Sequence, residues 1–178
     1  TIFLTAVMFY TRIPCPSNID HRPEYLNMAS RYFPLIGWIV GGISYLAFAS
    51  TAFLFNGSIA MLFALLLGIW TTGAFHEDGL ADACDGFGGG WTKEKILTIM
   101  KDSRIGTYGA VGLIFLLLIK FYALQGLWEL HPHIDGIWLA LFVTYHALAR
   151  LTAINLVFGM EYARDDATSK VKPIAKTH

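Results

Sequence analysis

Apolar residues in this chain come in long unbroken runs, longer and more uniform than the one-sided stripes of a soluble helical bundle. Leu35 to Phe55 carries no charge over 21 residues, about what a helix needs to cross ~30 Å of hydrocarbon. Asn56-Gly57-Ser58 reads as a tight turn, and the chain then climbs back from Ile59 in a second run whose far end passes into acidic residues up to Asp85. Ile105 to Trp128 and Ile137 to Met160 are two further runs, of 24 residues each. The pattern predicts an all-α fold: one integral membrane domain, a multi-spanning transmembrane helical bundle with spans near 35–55, 59–85, 105–128 and 137–160.

Shorter features fill the gaps. Ile2 to Tyr10 is apolar but too short to cross, and reads as a truncated or interfacial helix. Thr11 to Pro23, with three prolines and two arginines, is expected to be non-helical. Gly37 and Gly41 stand in G-x-x-x-G spacing, where a second helix should pack closely. Trp91 to Met100 reads as a short amphipathic helix.

Composition agrees with a membrane protein: 55% of residues are hydrophobic and 15% charged, with a mean hydropathy of +0.52. Net charge is zero, so only the placement of charge is informative. Of the 13 basic residues, three precede the first span, four lie between the second and third, four follow the fourth, and two sit inside spans. The other two loops have none. Excess Lys and Arg mark cytoplasmic loops, so the N-terminus, the acidic region and the C-terminal tail are expected on the cytoplasmic side of the membrane. Cys15 and Cys84 fit no metal-ligand spacing and are expected to be free thiols.

The two basic residues within spans are Lys120 and Arg150, each ~15–20 Å from a helix end. An ionisable group at such depth normally faces a partner or a wet cavity. Both are candidates for binding substrate phosphate at the floor of a cavity, against the alternative that each neutralises a carboxylate or snorkels. His146, one turn before Arg150, is expected to be a satisfied packing residue rather than a metal ligand. Arg12 is a further candidate phosphate contact, with interfacial anchoring as its alternative.

The densest chemistry lies in FHEDGLADACDGFGGGW, Phe75 to Trp91. Asp78, Asp82 and Asp85 follow i, i+4, i+7 spacing and would share one stripe of a helix that continues the second span. Like charges so placed repel unless a cation joins them or one is protonated. An all-oxygen ligand set favours a hard ion, Mg²⁺ first and then Mn²⁺ or Ca²⁺. Gly86, Gly88, Gly89 and Gly90 allow either a sharp turn or close approach of a phosphate. With Lys93, Lys95, Lys101 and Arg104 downstream, the combination points to metal-dependent handling of a diphosphate, a neighbouring carboxylate serving to deprotonate an attacking hydroxyl. Spacing separates neither transfer from hydrolysis nor one metal from two.

FYTRIP, RYFPLIGW, the acidic segment, MKDSRIGTYGA and YARDDATSKVKPIA together resemble the cobalamin synthase family, adenosylcobinamide-GDP ribazoletransferases, over nearly the whole chain. The resemblance implies a Mg²⁺-dependent multi-pass membrane enzyme that joins adenosylcobinamide-GDP to α-ribazole or its 5′-phosphate, releasing GMP. It places Glu77, Asp78, Asp82 and Asp85 at Mg²⁺ and diphosphate, with Asp82 or Asp85 as base and Glu77 among the catalytic acids. It adds Asp102 and Arg104, and Arg164 and Asp166 of the tail, as substrate contacts. Further spans are expected beyond residue 178. The implied partners are these small molecules and membrane lipid, with no nucleic acid and with room for a homo-oligomer. Asp78-Gly79-Leu80-Ala81 also fits the start of the CDP-alcohol phosphotransferase motif, but Asp82 stands where that class has Arg. A divalent-cation transporter is disfavoured by the cationic Lys120 and Arg150 at mid-span.

Overall fold

A computed structural model describes residues 2–16, 19 and 23–160. These are mostly helical, with no strand among the described residues. The helices are α1 (Ile2–Tyr10), α2 (Pro23–Ala29), α3 (Phe33–Thr51), α4 (Gly57–Thr72), α5 (Phe75–Gly89), α6 (Lys93–Ile99), α7 (Thr107–Leu130) and α8 (Gly136–Gly159). A 3₁₀ turn, Ser30–Tyr32, joins α2 to α3. Three stretches are long and apolar enough to cross a membrane: Glu24–Thr51, Thr107–Leu130 and Gly136–Gly159. Cys15 and Cys84 are free thiols, as expected.

The second span departs from expectation. Instead of running straight from Ile59 into the acids, the chain breaks after Thr72 and α5 leaves α4 at 87°. Gly73 and Ala74 both lie in the left-handed region, at φ 65° and 58°. The Ala74 amide donates to Ile69 O at 2.9 Å and the Gly73 amide to Trp70 O at 3.0 Å, a Schellman closure of α4. Gly73 is required twice over, because a Cβ there would also meet the Arg12 side chain. The Arg12 amide in turn donates to Thr71 O at 2.7 Å, tying the segment after α1 to this elbow.

Two cores hold the helices. Phe48, Met61, Leu65, Leu124, Trp138 and Phe142 join α3, α4, α7 and α8, while Tyr10, Ala29, Phe33, Ile36 and Val40 join α1, α2 and α3. The closest approach is between α3 and α8. A Cβ on Gly37 would lie 2.6 Å from Ala147 Cα, and one on Gly41 2.6 Å from Phe142 O. The G-x-x-x-G face therefore meets backbone, which cannot swing aside as a side chain can. Antiparallel contact at this register sets His146 and Arg150 at the level of the elbow.

Gly41→Ala is expected to destabilise the protein by ~1–3 kcal/mol through overpacking against α8. Gly42, with nothing within 4 Å of its would-be Cβ, is the control: Gly42→Ala should leave the melting temperature of detergent-purified protein unchanged or slightly raised.

Candidate active site

The acids of α5 occupy different environments. Helix geometry, about 100° per residue, keeps Asp78, Asp82 and Asp85 on one stripe and turns Glu77 about a quarter-circle away from it. Glu77 and Asp78 lie in the first turn, where the amide dipoles favour negative charge. Asp78 is exposed, whereas Asp82 and Asp85 are half-buried.

Asp85 is committed to α7. Its carboxylate accepts from the Gly106 amide at 2.7 Å and the Gly109 amide at 2.8 Å. Gly106, at the N-cap of α7, supplies no side-chain cap of its own, so α5 provides it in trans, satisfying two of the donors that a helix start leaves open. A Cβ on either glycine would collide with that carboxylate, and one on Gly88 with the Tyr108 ring. Together with Cys84 against Gly112, these contacts run α5 antiparallel to the first half of α7. The glycine-rich end of α5 thus packs against α6 and α7: Gly86 faces Met100 and Gly90 faces Ile96.

Two concavities flank α5. The first is an open groove of about 570 Å³ that brings together Asp85, Lys95, Asp102 and Arg104, all singled out from sequence, with Tyr108, which was not. Here Arg104 grips Asp102, Nη2 to Oδ2 at 2.6 Å and Nε to Oδ1 at 3.1 Å. Hydrogen bonds from Arg104 hold the Asp102 carboxyl down at about 2. The sign follows: a depressed pKa adds stability above the ordinary carboxylate value, and that contribution is lost as pH falls towards about 2. An acid limb of activity near neutrality therefore belongs to some other group.

The second is a recess of about 110 Å³ enclosed by α4, α5, α7 and α8. Lys120, Arg150 and Glu77 meet there. Lys120 Nζ lies 3.5 Å from Glu77 Oε1. Arg150, 4% exposed, donates through Nη1 to His146 O at 3.0 Å and to His146 Nδ1 at 3.2 Å. A guanidinium only donates, so Nδ1 carries the lone pair and His146 is the Nε2–H tautomer. That N–H faces Ser44 Oγ at 3.4 Å. His146 is thus a satisfied packing residue.

Arg12 stands at the elbow, and Arg164 and Asp166 lie outside the described residues. Among the described residues no three His, Cys, Asp or Glu side chains converge as a metal cage. The donor set still fits magnesium, which is commonly held by one or two carboxylates plus substrate phosphates. Asp78 and Asp82, one turn apart on α5, match such a pair in spacing, while Asp85 accepts from α7 and Glu77 pairs with Lys120. Nothing local in the sequence announces Tyr108.

A family model described as cobalamin-5-phosphate synthase matches residues 2–177. Curated relatives include the adenosylcobinamide-GDP ribazoletransferases of Shewanella frigidimarina, 49% identical over 98% of this chain and 66% of the relative, and of Shewanella woodyi, 48% identical over 99% and 67%. That of Shewanella amazonensis is 45% identical over 99% and 66%. The chain spans about two thirds of the length of these relatives. No solved structure matches.

Asp85→Ala should expose the Gly106 and Gly109 amides to hydrogen exchange at least tenfold faster and cost ~1–2 kcal/mol, the usual loss for a removed helix cap. Asp85→Asn, which keeps one acceptor oxygen, should fall between.

Proposed function

The chain belongs to the cobalamin-5-phosphate synthase family, and from that premise we propose that it carries the catalytic face of an adenosylcobinamide-GDP ribazoletransferase, an inner-membrane enzyme with this face towards the cytoplasm. The observation that carries the reading is α5, a single helix presenting Asp78 and Asp82 beside a cation-lined groove and a cation-lined recess.

In the proposed reaction the 3′-hydroxyl of α-ribazole, or of its 5′-phosphate, attacks the phosphorus nearer the corrinoid. A new phosphodiester P–O bond forms, the P–O–P bridge breaks, and GMP leaves with the bonding pair. The hydroxyl proton passes to a carboxylate. Asp82 or Asp85 would be that base. Asp78 and Asp82 would hold a magnesium ion, which would supply neutralisation of the diphosphate oxygens on which charge develops. Lys95 and Arg104 line the groove where the guanosine end of the donor would lie. The exposed apolar faces of α7 and α8, including Ile114, Ile119 and Tyr122, suit a lipid environment.

Asp82→Asn is expected to cut GMP release from adenosylcobinamide-GDP by at least a thousandfold without moving the melting temperature by more than a few degrees. Near-normal turnover of a folded, magnesium-supplied variant would remove Asp82 from the site. Offering the parent protein a CDP-alcohol pair in parallel separates the reaction classes, with no CMP release expected.

A further inference from the structure

The recess between α4, α5, α7 and α8 has an unbalanced charge and two unanswered hydrogen-bonding atoms. Among the described residues its only acid is Glu77, already paired with Lys120 at 3.5 Å. Arg150 has no carboxylate within ion-pair distance among the described residues, so one positive charge remains at a depth where an uncompensated ion costs several kcal/mol. His146 is neutral, as its bond from Arg150 requires.

Arg150 also has a direction. Nη1 is spent on His146, whereas Nε is buried without a partner among the described residues. The Nε–Nη2 edge, the side of a guanidinium that matches two oxygens of an oxyanion, is thus the unpaired one. On the α5 side of the recess Glu77 Oε2 is likewise buried without a partner among the described residues, and it can only accept. A ligand that answers both atoms must offer acceptor oxygens to Arg150 and an O–H to Glu77. Hydrogen phosphate, or a phosphate monoester carrying its second proton, does both, since that proton titrates near pH 6. Sulfate has no such proton. At about 110 Å³ the recess suits one tetrahedral group and excludes a nucleotide.

We propose that this recess is a phosphate-monoester pocket in which Arg150 and Lys120 hold the terminal phosphate of the acceptor while Glu77 accepts a hydrogen bond from its P–O–H. The assignment rests on the transferase reading above.

The test has a binding arm and a kinetic arm on the detergent-purified chain. Radiolabelled inorganic phosphate should bind, equimolar sulfate should fail to displace it, and Arg150→Gln and Lys120→Gln should each weaken it at least tenfold. Glu77→Gln, which puts a donor where an acceptor is needed, should erase the discrimination between phosphate and sulfate. In turnover, Arg150→Lys and Lys120→Gln should lower kcat/KM for α-ribazole 5′-phosphate relative to α-ribazole at least tenfold, and melting temperatures identify any variant that fails to fold. Equal competition by sulfate, or no phosphate binding by the folded parent, overturns the pocket. Phosphate binding with an unchanged acceptor ratio overturns its assignment to the acceptor. Absence of turnover with both acceptors sinks the transferase reading instead, and with it the acceptor's place in the pocket, while the binding arm still decides the pocket itself.

Discussion

A row of carboxylates cannot be carried along the axis of a membrane-crossing helix without a large desolvation cost, and this chain meets that constraint with one sharp turn. Two consecutive left-handed residues, Gly73 and Ala74, redirect the backbone by 87° just before the acids begin. An alanine in that region costs ~1–2 kcal/mol relative to its relaxed form, and the Schellman bonds to Ile69 and Trp70 together with the packing of Arg12 offset it. Every functional contact described above follows from where α5 then lies. One of its faces meets the recess through Glu77, and the stripe that carries Asp78, Asp82 and Asp85 meets α7 at Asp85.

The four acids thus divide their work by environment rather than by type. Asp85 acts as the missing cap of α7 and fixes the register of the two helices. That same register brings Lys120, thirteen residues further along α7, to Glu77. The α3–α8 contact at Gly37 and Gly41 independently sets Arg150 and His146 against the same recess. Two separate packing interfaces therefore converge on one polar cavity, and loss of either would misalign it.

Much of this was legible in the chain. The membrane class, the hairpin capped at Asn56, the two long terminal spans and the close-packing glycines of α3 all follow from run length, turn residues and spacing. The elbow is not legible, although Gly73 is an ordinary helix-stop signal; the apolar run leading up to it, Ile59 to Phe75, masks the break, and nothing in the identity of Ala74 encodes a left-handed backbone. Asp85 was indistinguishable from Asp78 and Asp82 because spacing within a helix carries no information about what faces it. Asp102 and Arg104 were found together, but that they grip each other is a tertiary fact. The family membership rests on motifs that sequence alone exposed.

The central claim is that α5 holds a divalent ion through Asp78 and Asp82 once a substrate diphosphate arrives, with Asp85 reserved for α7. Electron paramagnetic resonance of Mn²⁺ substituted for Mg²⁺, recorded on the purified protein with and without adenosylcobinamide-GDP, reads this directly. The account predicts protein-bound Mn²⁺ with phosphorus coupling only when the diphosphate is present, lost in the Asp78→Asn, Asp82→Asn double variant and kept in Asp85→Asn. The same coupled signal in the double variant, or its loss in Asp85→Asn alone, would contradict it.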